Sequence, residues 1–198
     1  MCSSDLAECI PPAPPHAIGE LYNARAPLKQ RLAADGITMI TEIPTDYGLS
    51  ALQDRQREVV LSGASYKHPD LRQILAGLER PLYFLDFETF NPAVPLYTGT
   101  RPYQQIPFQW SVHRMGADGE TTHAEYLHDG PDDPRPALAK ALIEALGETG
   151  PICVYSSFEN TQLRGLQEVL PRHAPALARI AGRLVDLLPV LRNHVYHP

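Results

Sequence analysis

Two periodicities divide the chain. In the first third, apolar positions recur at helical spacing. Leu71, Ile74, Leu75 and Leu78 in HPDLRQILAGLE (68–79) fall at i, i+3, i+4 and i+7, one face of a helix that Pro69 opens. Before it, Pro27 starts a helix through Leu28 and Leu32 that Gly36 closes. ITMITEIP (37–44) reads as a short apolar helical turn, and Ser50 with Gln53 three residues on makes a capping box. Residues 18–79 are therefore expected to form a small helical module.

From residue 80 the pattern changes to strands. PLYFLDF (81–87) is rich in β-formers, IPFQWSVHRM (106–115) alternates, and Gly116 and Gly119 mark a hairpin turn into TTHAEYLH (121–128). A helix follows over 132–147, with Asp133 as cap, Pro134 in its first turn and Leu138, Leu142 and Leu146 on one face. PICVY (151–155) reads as a buried strand, SFENTQLRGLQEVL (157–170) as a helix, Pro175 to Ala181 as a short helix and RLVDLL (183–188) as a last strand. The order β-β-β-α-β-α-β predicts an α/β domain with a mixed sheet over 80–198. Trp110 and the Leu138–Leu146 face belong to its core.

Composition narrows the class. The 198 residues are 43% apolar, enough for one sizeable core with a small satellite. A net charge of −6 excludes a strongly basic nucleic-acid binder and leaves room for a local groove. No apolar run approaches the roughly 20 residues of a membrane span. No signal peptide is visible, and the three cysteines, Cys2, Cys9 and Cys153, lack metal or disulfide spacing, so a reduced cytoplasmic protein is expected. Residues 7–17 (AECIPPAPPHA) form a proline-rich linker. Residues 1–17 are expected to be disordered. The opening MCSSDL matches the translation of a common sequencing adapter and is expected to be a library artefact, which resequencing the locus would test.

The strongest chemical signal is LDFETF (85–90). In a strand, Asp86 and Glu88 share one face, and Leu85 and Phe87 the other. Two neighbouring carboxylates repel, and burial makes both harder to ionise. A divalent cation relieves both penalties, and Mg²⁺ or Mn²⁺ favours such oxygen donors. The bland alternative is a solvated strand end. A glycosidase pair is also conceivable, although two acids on one strand do not by themselves flank a sugar. A further acid, Glu159, falls in the first turn of the 157–170 helix, where the helix dipole alone can account for it. If the first and fourth strands are neighbours, Glu159 reaches the same sheet end as Asp86.

Other candidates are weaker. In the insert 91–109, Arg101 can contact phosphate, Tyr103 can stack on a base, and Gln104 and Gln105 can bond a sugar or base edge. Equally, this is a loop packed over the sheet. His113, His123, His128, His194 and His197 match no zinc spacing and read mostly as surface or partly packed. Ser156 and Ser157 lack a nucleophile-elbow context, and no phosphate-loop glycine pattern occurs.

LDFET followed by a strand, turn and helix carrying YSSFE resembles the DEDD exonucleases of the ribonuclease H-like fold. More closely, YFLDFETFNPAVPLYTGTRPYQQIPFQWSVH, VYSSFENTQL and LVDLLPVLRNHVYHP resemble an uncharacterised bacterial domain family that follows a RecB-like nuclease module, of which 18–79 would be the tail. The resemblance implies a ribonuclease H-like fold and two-metal phosphodiester hydrolysis of DNA or RNA, 3′→5′, with Mg²⁺ or Mn²⁺. On it, Asp86 bridges both metals and Glu88 binds one of them and meets the terminal sugar hydroxyl. Glu159 takes the place of the second-motif acid, usually Asp, and Asp186 plays a supporting part. Thr89, Arg101, Tyr103 and Gln104 are the corresponding nucleic-acid contacts. It also implies a last acid on a helix after Pro198, so the domain is expected to be truncated and this chain inactive or nearly so. A catalytically weak binding module serving the nuclease is the alternative.

Overall fold

The computed structural model describes residues 13–198. Along the chain, a 3₁₀ turn (Ile18–Glu20) precedes α1 (Ala26–Ala34), and a second (Ile40–Glu42) precedes α2 (Ala51–Ser62). Then come β1 (Tyr66–Lys67), α3 (Leu71–Ala76), β2 (Leu82–Phe90), β3 (Ile106–Met115), β4 (Thr121–Leu127) and α4 (Pro134–Leu146). β5 (Ile152–Val154), α5 (Phe158–Val169), α6 (Ala174–Ala181), β6 (Leu184–Asp186), α7 (Leu187–His194) and β7 (Val195–Tyr196) complete the chain. The contacts divide the described residues into two compact units, one of residues 13–69 with Arg192–Pro198, the other Asp70–Leu191. Cys2, Cys9, the opening MCSSDL and residues 7–12 of the proline-rich stretch lie outside the described residues. Cys153 is a free, buried thiol. No described helix is long and apolar enough to cross a membrane.

The smaller unit is organised around Leu21, Leu32, Ile37, Ile40 and Ile43. Ser50 caps α2 by the expected reciprocal bonds with Gln53, and Gly63 ends it in a left-handed conformation at φ 68°. The buried amides of Gln53 and Gln56 are satisfied by the backbone of the preceding segment: Gln53 Nε2 donates to Tyr22 O (2.8 Å) and Gln56 Nε2 to Glu20 O (2.9 Å). Ala17 of the proline-rich stretch bridges Met39. The two-stranded ladder of β1 and β7 belongs to this unit.

The larger unit is α/β, with a mixed five-stranded sheet in the order β4-β3-β2-β5-β6. β2 runs antiparallel to β3 and parallel to β5. One sheet face is the core. Tyr83, Leu85 and Phe87 of β2, Trp110 and Val112 of β3, and Ile152 and Val154 of β5 meet Leu138, Leu142 and Leu146 of α4, Leu163 and Leu166 of α5, and Leu177 and Ile180 of α6. Each fully buried leucine contributes about 1.5–3 kcal/mol relative to exposure. Trp110 anchors α4 further by donating Nε1–H to Leu138 O (3.2 Å). Alternation sends Phe84, Asp86 and Glu88 to the other, exposed face. RLVDLL proves shorter as a strand than its composition suggests. Pairing with β5 stops at Asp186, and the chain turns at once into α7, whose first turn accommodates Pro189.

Candidate functional site

β2 delivers its acids to the exposed face of the sheet because its core side is fixed. Leu85 and Phe87 are locked into the apolar layer, so Asp86 and Glu88 must face outward. Across the ladder Asp86 opposes Ser111, which opposes Glu125 on β4. A bulge separates Glu88 from Thr89, where the register with β3 shifts and Pro107 replaces a ladder donor. Thr89 is half-buried there.

β5 is the neighbour of β2, so the turn that leaves it rises at the same sheet end. Ser156, in this turn, sits at φ 94°, a conformation that costs an L-residue. Asp186, at the end of the next strand, holds the turn: its Oδ1 accepts the amides of Ser156 (2.9 Å) and Leu188 (2.9 Å). Ser156 Oγ in turn accepts the Phe158 amide (3.3 Å). α5 then starts, and its second residue is Glu159.

Glu159 is only 3% exposed, and its Oε2 has no hydrogen-bond partner among the described residues. Burial pushes its carboxyl above the usual range, its own backbone amide pulls the other way, and the charges of Asp86 and Asp186 push it further up. Thus Asp86, Glu159 and Asp186, from β2, α5 and β6, share one electrostatic neighbourhood. Glu88 lies further along the exposed face and is not among the charges acting on Glu159. The acids do not converge on a point: among the described residues, no group of three His, Cys, Asp or Glu side chains stands close enough to hold a metal ion.

The insert between β2 and β3 is tied to this helix. Gln162, one turn after Glu159 and 5% exposed, donates Nε2–H to Gln105 Oε1 (3.1 Å). Gln104 Oε1 accepts the Arg101 amide (3.0 Å), so the loop itself uses that oxygen. Arg101 and Tyr103 are exposed. His113 and His123 stack across β3 and β4 with ring centroids 4.5 Å apart, and Ser111 Oγ lies 3.1 Å from His123 Nε2.

The profile of the family described as Domain of unknown function (DUF2779) matches residues 83–198, more than half of the chain. The chain belongs to this family. No curated protein and no solved structure gives a match. The DUF2779 segment starts within β2 and takes in Asp86, Glu88, the insert, Glu159 and Asp186. Within it, sequence reasoning missed Gln162, and the only available signal was its i+3 spacing from Glu159 on a helix. The Asp186 link to the Ser156 turn was also hidden, because it spans 30 residues.

Proposed function

We propose that this DUF2779 domain is a divalent-metal-dependent exonuclease of the ribonuclease H-like, DEDD type, shortening DNA or RNA from the 3′ end. A RecB-like nuclease module is the partner expected in the intact protein, with residues 18–79 as its tail. The observation that supports the reading is Glu159: a buried carboxylate with an orphaned oxygen, facing the charges of Asp86 and Asp186. Such a group is costly unless a function retains it.

The donor set fits Mg²⁺ or Mn²⁺ in chemistry, being all carboxylate oxygen, with one oxygen unused. Asp86 and Glu159 would hold the ions, with Glu88 as a further donor. What a divalent cation supplies when bound is neutralisation of the phosphodiester and a more acidic water. The chain's own residues do the rest. Asp186 fixes the turn that aims Glu159. Glu88, exposed beyond Asp86, accepts a hydrogen bond from the terminal sugar hydroxyl. Thr89 and Gln104 border the strand and reach the same nucleotide, and Arg101 meets a phosphate. The second reading, a catalytically weak module that binds nucleic acid, is favoured by one fact, that no three donors converge among the described residues.

The test is incubation of the purified intact protein, any upstream nuclease module inactivated throughout, with end-labelled single- and double-stranded DNA and RNA and Mn²⁺, beside Asp86→Ala and Glu88→Ala. Stepwise shortening by the wild type alone is the expected result. A folded wild type that shortens none of the four substrates overturns the enzyme and leaves the binding module.

A further inference from the structure

The insert 91–105 is an ordered platform. Its root is an aromatic cluster, with Phe90 edge-on to Tyr97 and Phe108 at centroid distances of 6.4 and 5.8 Å. Its neck is closed by the Tyr103 amide donating to Pro92 O (2.9 Å). Two turns stiffen the body: Thr100 Oγ1 donates to Tyr97 O (2.6 Å), and the Gln104 amide to Arg101 O (3.1 Å). The far end is latched to α5 by the Gln105–Gln162 bond.

This framework presents apolar surface outward. Tyr103 is 70% exposed in a left-handed conformation (φ 57°), and Val94 and Leu96 are 73% and 60% exposed. A bulky residue at positive φ is strained, and the loop's bonds over-determine it. No hydrogen bond occupies the Tyr103 hydroxyl among the described residues. The backbone of Tyr103 is thus fixed and its ring stands in solvent, two residues before the tether to the Glu159 helix.

The loop's charge says what kind of surface this is. Arg101 is its single charged residue, with no acid and no lysine, and the chain as a whole carries −6. Its guanidinium makes no ion pair among the described residues. One cation offers about one phosphate contact, so what this surface can add beyond it is stacking on flat, uncharged faces. Bases offer those faces only when they are not stacked within a duplex.

We infer that Tyr103 and its loop form a stacking platform for unpaired bases, which makes the substrate single-stranded nucleic acid held through its bases more than through its backbone. The inference rests on the proposed function for why nucleic acid comes here. It does not depend on the chemistry occurring.

The test is fluorescence anisotropy of the whole protein in EDTA. The probes are a labelled oligothymidine and a blunt duplex of equal length, read from low to physiological salt. Wild type is expected to bind the single strand at least roughly tenfold tighter than the duplex. Tyr103→Ala is expected to lose roughly five- to hundredfold in affinity, the range of one stacked base, while Tyr103→Phe and Tyr103→Trp retain it. The slope of log affinity on log salt should be about −1 or shallower, since one phosphate contact gives about −0.7. Circular dichroism checks the fold of each variant. Equal binding of the two probes, a Tyr103→Ala that binds as wild type, or a steep salt slope overturns the platform, as does a folded wild type that binds neither probe. Because EDTA removes the chemistry, the two claims separate. Tyr103-dependent binding without shortening keeps the platform and sinks the exonuclease, and shortening with a neutral Tyr103→Ala does the reverse.

Discussion

One oxygen of Asp186 accepts two backbone amides, that of Ser156 (2.9 Å) on the strained turn and that of Leu188 (2.9 Å) at the start of α7. The acid thereby sets the path of the chain into α5 and the place of Glu159. Asparagine can reproduce that oxygen, since its carbonyl is also an acceptor. Asp186→Asn is therefore expected to keep stability and most activity. Asp186→Ala orphans two amides and is expected to cost about 1–3 kcal/mol in urea unfolding, with activity falling in parallel. If Asp186→Asn is as inactive as Asp186→Ala while remaining stable, the carboxylate charge itself is needed and the positioning role is wrong.

The raised carboxyl of Glu159 makes stability depend on pH in a definite direction. Burial is the main cause, reinforced by Asp86 and Asp186. Between the ordinary glutamate range, about 4.3, and its raised value, folded Glu159 keeps a proton that the unfolded chain releases. Stability from this group is therefore present below that window and lost as pH rises through it. Glu159→Gln cannot ionise, so in EDTA the variant is expected to unfold at higher urea than wild type at neutral pH. The difference should shrink on acidification towards pH about 4. A gain that is the same at every pH would show that the carboxylate pays no ionisation penalty in the folded state.

Local rules made the elements legible. The Ser50–Gln53 box, the Asp133 cap and the alternation of 106–115 each act within a few residues, and each recurs in the structure. Asp133 does more than cap. Burial raises its carboxyl, but the two-pronged contact of Arg135 brings it below the usual range, and Nη2 lies 2.6 Å from Oδ2. The face shared by Asp86 and Glu88 was legible because strand periodicity is 2. What was not legible depends on distant partners: the β1–β7 ladder, the start of α7 immediately after Asp186, and the Gln105–Gln162 latch across 57 residues. None leaves a pattern in either partner's neighbourhood. The spacing between the acids is hidden in the sequence for the same reason. Two residues of one strand share a face by geometry, but their distance to Glu159 is set by how α5 packs.

Among the described glycines of the larger unit, Gly150 is the one whose added Cβ would run into another segment's backbone. It sits at φ 90°, and a Cβ placed on it would strike the carbonyl oxygen of Pro81. That contact lies where β5 enters the sheet beside β2, next to the bond from the Tyr83 amide to Pro151 O (3.0 Å). Backbone, unlike a flexible side-chain tip, cannot move aside. Gly150→Ala combines a steric clash with an unfavourable φ and is expected to destabilise by about 2–4 kcal/mol, measured as a lower urea midpoint. A midpoint within error of wild type would mean that the two strands can part without cost.

Arg183 closes the opposite end of the sheet from the acids. Its guanidinium donates to four carbonyls: Nε to Gly150 (2.7 Å), Nη1 to Gly147 (2.7 Å), and Nη2 to Leu146 (3.1 Å) and Thr149 (2.6 Å). Two of these belong to the end of α4, where helical carbonyls lack partners and favour a cation. The same group lies 5.5 Å from the centre of the Tyr83 ring. The fork therefore joins α4, the turn into β5 and β2 through one planar group. Lysine carries the charge but offers three donors from a single point, which cannot serve four acceptors spread around a plane. Arg183→Lys is expected to cost about 1–3 kcal/mol, and Arg183→Ala more, because the carbonyls are then left without any donor. Unfolding in urea, followed by the fluorescence of Trp110 in the same core, reads both variants. If charge alone held this end together, lysine would match arginine. The geometry of the four bonds predicts that it does not.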